Sequence, residues 1–117
     1  MTKPKSLLKT KSQRDKEDSL IKSTGKFPLA TPFEVEGRTV KELDLDASKL
    51  KGEDTVNIED EWRTRNGDLP TLPMHDPRFR LFVIARINRI DPDDIVANLS
   101  FSELQNLQIY GLIFLVN

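Results

Sequence analysis

The chain has 117 residues, with 18 basic and 19 acidic residues, a formal net charge of −1, no cysteine and one histidine. Without cysteine there are no disulfides, thiolate metal sites or cysteine nucleophiles, and a single histidine cannot build a His-based triad or a multi-histidine metal centre. No apolar run approaches the ~18–20 residues that a membrane-spanning helix needs, and no apolar segment follows the first lysines as it would in a secretory signal, so the expected location is the cytoplasm.

The near-neutral total conceals an asymmetry. Residues 1–26 carry eight Lys/Arg against three Asp/Glu, net +5, and the remainder holds ten against sixteen, net −6. The first segment is rich in Lys, Ser, Thr and Asp, with Leu7, Leu8, Leu20 and Ile21 as its sizeable apolar residues. So little apolar surface does not offset the entropy of ordering, and the segment is predicted to be a flexible basic arm. The remaining residues, 27–117, are predicted to form a single domain.

In residues 33–45, FEVEGRTVKELDL, apolar and polar residues alternate on either side of Glu36-Gly37, which predicts a β-hairpin with one apolar face. After Gly52, acids come early, Arg63 and Arg65 late, and Gly67 follows, an order that complements a helix dipole and predicts a helix over about 53–66. Pro70, Pro73 and Pro77 mark a loop. Asp76-Pro77 is an N-cap followed by a first helical position, and Phe79, Phe82, Val83, Ile87 and Ile90 recur at helical spacing. Asp91-Pro92 repeats the start signal for a short helical turn, and Ser100 with Glu103 forms a capping box before a last helix to about Leu115. The predicted fold is α+β: an N-terminal hairpin, then a helical unit over 77–116, together a small bundle of about three to four helices.

The last helix is the informative one. Phe101, Leu104, Leu107, Leu112, Phe114 and Leu115 fall on one broad side and predict a core stripe. Ile109, Ile113 and Val116 lie on the opposite side, with Tyr110 at the edge, so that ten of the sixteen residues from Phe101 to Val116 are apolar. A surface helix needs only about three in seven. Burying each extra side chain is worth roughly 1.5–3 kcal/mol, a large share of a small domain's stability. A domain of this size has few elements to cover such a helix, so Ile109, Tyr110, Ile113 and Val116 are the expected partner-facing set. The alternative is that the hairpin and the helix near Trp62 cover this side internally.

Other groups read more plainly. His75 sits in a proline loop and reads as a loop or capping residue. Glu59, Asp60 and Glu61 are consecutive on a helix and project in different directions, so they do not converge on a metal. Asp91, Asp93 and Asp94 lack the glycine and the later bidentate glutamate of a calcium loop and read as capping and first-turn charge. There is no Gly-rich phosphate loop and no nucleophile elbow, so no catalytic residue, metal or cofactor is assigned and the chain does not read as an enzyme. Arg78, Arg86 and Arg89 share one side of the helix predicted from Pro77 and read as a solvated border, with nucleic-acid contact as the alternative. Trp62 reads as a core or hairpin-packing residue, with partner anchoring as the alternative.

Two stretches carry a family resemblance. KFPLATPFEVEGRTVKELDLD, residues 26–46, is similar to the opening hairpin of the tail assembly chaperones of contractile-tailed, Mu-like bacteriophages. RFRLFVIARINRIDPDDIVANLSFSELQNLQIYGLIFL, residues 78–115, resembles the closing unit of that family, where a helix meets an acid-Pro turn and a "L-x-x-x-E/D-L" step leads into a terminal hydrophobic helix. Together they span 59 of 117 residues, and residues 47–76 have no counterpart in the family. The resemblance implies a chaperone that binds the tape-measure protein, a long helical ruler, in the host cytoplasm while the tail tube polymerises. It also implies absence from the finished virion and, in many relatives, a longer form made by ribosomal frameshifting. Two rivals are a small nucleic-acid-binding regulator using the arm and the arginine border, and a structural virion component that self-assembles through the last helix. Neither nucleic acid nor membrane is an expected partner.

Overall fold

The computed structural model describes residues 10–116. In chain order these form α1 (Lys11–Thr24), β1 (Lys26–Val35), β2 (Arg38–Asp44), α2 (Gly52–Asn66), α3 (Pro77–Asn88), α4 (Pro92–Asn98) and α5 (Phe101–Leu115), with short 3-10 turns at Ala47–Lys49 and Pro73–His75. The fold is α+β, as expected from the sequence.

The expected flexible arm is corrected over most of its length. Residues 1–9 lie outside the described residues, but residues 11–24 are the helix α1. It is built by capping at both ends. Thr10 Oγ1 accepts from the Gln13 N–H at 3.1 Å while Gln13 Oε1 accepts from the Thr10 N–H at 2.9 Å, a reciprocal capping box. At the other end Gly25 takes the left-handed conformation (φ 69°) and its N–H closes on the Ile21 carbonyl at 2.8 Å. Ile21 is the one residue of α1 that is buried, so caps and one apolar anchor do what a continuous apolar stripe does in other helices.

The hairpin is longer than the 33–45 expected, running from Lys26 to Asp44. Glu36 and Gly37 both have positive φ (48° and 81°), the type I′ geometry whose twist matches the flanking strands. Pairing is regular from Phe33↔Val40 to Val35↔Arg38 and again from Lys26↔Asp44 to Pro28↔Glu42, and residues 29–32 bulge between the two stretches. The bulge is secured from α5, where Glu103 Oε2 accepts from the Ala30 N–H at 2.7 Å. Its other oxygen closes the capping box on the Ser100 N–H at 3.3 Å.

The apolar residues form two clusters that share α3. Leu81, Ile84 and Ala85 face the larger one, with Phe27, Phe33, Val40, Leu43 and Leu45 of the hairpin region, Ile95 of α4 and Leu107 of α5. Phe79 and Val83 face a smaller one with Ile58 and Trp62 of α2. Trp62 is therefore a core residue against α3 and not against the hairpin. Its ring lies edge-on to Phe82 at 5.2 Å and tilted to Phe79 at 5.6 Å, and its Nε1 donates to the Asp68 carbonyl at 3.0 Å.

Three polar joints fix α3 in place. Asn88 pairs with the backbone of Asp44 as a neighbouring strand would: Oδ1 accepts from the Asp44 N–H at 2.8 Å and Nδ2 donates to the Asp44 carbonyl at 2.9 Å. The same Nδ2 donates to the Ile84 carbonyl at 2.8 Å. Arg38 Nη2 donates to the carbonyls of Asn88 and Arg89 (2.6 and 2.8 Å), placing a cation on the negative end of the helix. Arg86 Nε donates to Asp54 Oδ1 at 2.8 Å, tying α3 to the first turn of α2.

At the α2–α4 junction Arg65 meets Asp91 through two hydrogen bonds of 2.9 and 2.8 Å and also reaches Asp93 and Glu61. The guanidinium outweighs desolvation and holds the Asp91 carboxyl down at about 2. A folded-state value below the ordinary one adds stability above about pH 4 that is lost as the pH falls toward 2.

Asn88→Ala leaves the half-buried Asp44 N–H and carbonyl unpaired and is expected to cost about 1–3 kcal/mol in denaturant unfolding. Asn88→Asp is expected to cost more, since it turns a carboxylate oxygen toward two carbonyls. Asp91→Asn keeps a side chain competent to cap α4 but removes the charge. Acid titration of this variant is expected to show a shallower loss of stability between about pH 4 and pH 2 than the parent chain shows.

Candidate functional site

The last helix settles against α3 at one close contact. A side chain at Gly111 would place its Cβ 3.3 Å from Ile84 Cδ1, tighter than ordinary van der Waals contact, and Ile84 is fully buried. Glycine inside a helix costs about 1 kcal/mol relative to alanine. Here it lets the two helices approach. The buried line of α5 therefore runs through Leu107 and Gly111, with Leu104, Tyr110, Phe114 and Leu115 packed half-buried beside it.

That line corrects the expected core stripe. Leu107 is fully buried as predicted, but Phe101 is 80% exposed and Leu112 47% exposed, and Ile109 is 56% exposed. Leu112 follows Gly111 by about 100° around the helix, which carries it off the α3 contact. Phe101, Gln105, Ile109 and Leu112 thus form one outward ridge at helical spacing, with Val116 half-buried at its end.

The residues expected to face a partner divide accordingly. Ile109 stands on the ridge, and Ile113 and Val116 are half-buried at its border. Tyr110 faces the other way. Its ring packs against Phe27 at 5.9 Å, and its hydroxyl donates to Asp18 Oδ1 of α1 at 2.6 Å. Burial and the Asp18 carboxylate push the Tyr110 hydroxyl up to about 12. Tyr110 is therefore the joint between α5 and α1. Phe101 and Leu112, which the sequence pattern assigns to the core, take the exposed places. The signal that identifies them is Gly111, a mid-helix glycine marking the closest approach of another element.

Several charged groups on other faces are paired. Arg86 is paired with Asp54, and Arg78 lies over the Trp62 ring at 5.4 Å and reaches Asp76 at 3.6 Å. Arg89, at φ 56°, terminates α3. Of this border, Arg86 is tied to α2, whereas the Arg78 side chain and Arg89 remain largely exposed. Asp91 and Asp93 turn toward Arg65, and Glu59, Asp60 and Glu61 toward Arg63 and Arg65. Among the described residues no group of three or more His, Cys, Asp or Glu side chains could hold a metal ion, and no helix is long and apolar enough to cross a membrane.

Gly111→Leu forces a branched side chain into the Ile84 contact and is expected to cost about 1–3 kcal/mol in denaturant unfolding, whereas Ile109→Ala on the ridge is expected to stay within about 0.5 kcal/mol of the parent. Comparison of the chain with protein-family models, with curated proteins and with solved structures gives no match.

Proposed function

We propose that this protein is an assembly chaperone that binds a hydrophobic helical client, and that the client is the tape-measure protein of a contractile phage tail. The observation that carries the reading is the exposed apolar ridge of α5, in which Phe101, Ile109 and Leu112 are 80%, 56% and 47% exposed on one helix. Large apolar side chains gathered on one element mark a contact surface, whereas scattered ones do not. Ridge spacing of this kind suits a second helix laid alongside, with apolar anchors repeating every three or four residues. The resemblance of residues 26–46 and 78–115 to the phage tail chaperones names the client and the setting, which is the host cytoplasm during assembly and not the mature virion. The reading is of a binding protein without catalytic residues.

The geometry shifts emphasis within the binding set. Ile109 remains central, Leu112 and Phe101 join it, Ile113 and Val116 border the contact, and Tyr110 holds the helix from behind. Affinity comes from apolar burial, so capture is expected to change little with salt, whereas a phosphate-binding mode weakens steeply as salt rises.

Co-expression with the large helical ruler protein tests the proposal. The parent chain is expected to keep the ruler soluble in a complex that survives size-exclusion chromatography. Leu112→Asp is expected to lose the complex, by at least tenfold in affinity, while its own cooperative unfolding is unchanged. A ruler that aggregates equally with and without the parent chain would overturn the reading.

A further inference from the structure

We infer that the client helix taken by the α5 ridge carries a carboxylate within its apolar stripe, and that Arg80 is the group that meets it. The inference rests on the proposed function and adds the chemistry of the client. Arg80 is 6% exposed and is the one charged side chain buried among the described residues. Arg63, Arg65, Arg78 and Arg86 each pair with an Asp or Glu, whereas Arg80 has no carboxylate partner among the described residues. Its Nη1 donates to the Met74 carbonyl at 3.0 Å, while its Nε is buried without an acceptor. A carbonyl takes up one proton of the guanidinium but leaves the charge uncompensated, and burial of an uncompensated charge opposes folding. An anion that arrives with the client relieves this in the complex alone, so the burden on the free chain becomes a preference for an acidic client.

The position of Arg80 fits this role. Long side chains on a helix lean toward its N-terminus, which carries the guanidinium from α3 toward Met74. A Cβ at Gly111 would lie 3.9 Å from Arg80 Nε, so the cation rests against the same α5 glycine that admits Ile84. Leu112, the next residue, stands exposed on the ridge. Gln108 lies about 60° around α5 from Gly111 in the direction of Leu112, between the α3 contact and the ridge. Its Oε1 is also buried without a partner. Half a turn of that amide presents its Nε2–H groups instead, a second donor for an incoming carboxylate. A cation and an amide thus stand in the seam beside the Leu112 end of the ridge. The ridge itself is uncharged, since Glu103, the one charged residue of α5, is engaged with Ala30 and Ser100.

Fluorescence anisotropy with synthetic amphipathic helices is the test. The probes share one Leu/Ile stripe, and a single Glu, or Gln in its place, is moved over about two helical turns. At the positions that reach Arg80, the parent chain is expected to bind the Glu form about fivefold or more tightly than the Gln form, and elsewhere to bind both alike. Arg80→Met keeps an apolar stem and is expected to bind all forms alike, with the affinity of the parent for the Gln forms. Its denaturant midpoint is expected to equal or exceed that of the parent, because a buried charge is removed.

Equal binding of Glu and Gln forms by the parent would overturn the inference and leave the apolar ridge standing. A Glu preference that survives in Arg80→Met would belong to another cation and would overturn the role of Arg80. A lower midpoint, or failure to fold, in Arg80→Met would show that the arginine is compensated within the fold and would overturn the inference at its premise. Binding of none of the probes would overturn it together with the ridge reading.

Discussion

The structure depends on α3 being apolar on two sides. Six of its twelve residues are buried, five of them apolar and the sixth Arg80. One side meets the hairpin, α4 and α5, and the other meets α2 and the proline loop. A helix that is buried on both flanks cannot be stable as an isolated amphipathic element and holds its place only when both neighbouring layers are present. The hairpin alone is marginal in water, and α2 buries only Ile58 and Trp62. Each layer therefore derives its stability from α3 and supplies one of its walls. Residues 47–76 thus furnish a large share of the packing around the central helix.

Where the polar joints fall follows from this arrangement. Asn88, Arg38 and Arg86 all act at or near the C-terminal half of α3, where backbone carbonyls lack helical partners and carry the negative end of the dipole. The N-terminal end is served by Asp76, whose Oδ1 accepts from the Arg78 N–H at 2.8 Å and the Phe79 N–H at 3.3 Å. Apolar burial fixes which side of α3 faces which layer, and these directional bonds fix its position along its own axis.

Local signals in the sequence announced the later elements well. Asp76-Pro77, Asp91-Pro92 and the Ser100–Glu103 capping box all mark observed helix starts, and Glu36-Gly37 marks the observed turn. They were legible because each is a short-range interaction between neighbours in the chain. The α1 helix is marked locally by Thr10, Gln13 and Gly25, signals that the scarcity of apolar residues over 1–26 conceals when composition alone is considered. The outward ridge was only half legible. Periodicity identifies a helix that is too apolar for its surroundings, yet which flank is left bare depends on where α3 crosses, and that is a long-range contact. Gly111 was the one residue that recorded the crossing in the sequence. The role of Tyr110 was hidden for the same reason, since its partner Asp18 lies 92 residues away.

The manner in which α1 is attached sets where it stands in the molecule's hierarchy of stability. It is held by the burial of Ile21, the Asp18–Tyr110 hydrogen bond and the turn at Gly25, while most of its surface faces water. A helix with one buried side chain and most of its surface in water sits at the low-stability end of the structure. It covers the face of α5 bearing Tyr110, away from the Gly111 contact with α3. The Tyr110 side of α5 thus owes its cover to a helix that contributes a single side chain, Ile21, to the main core.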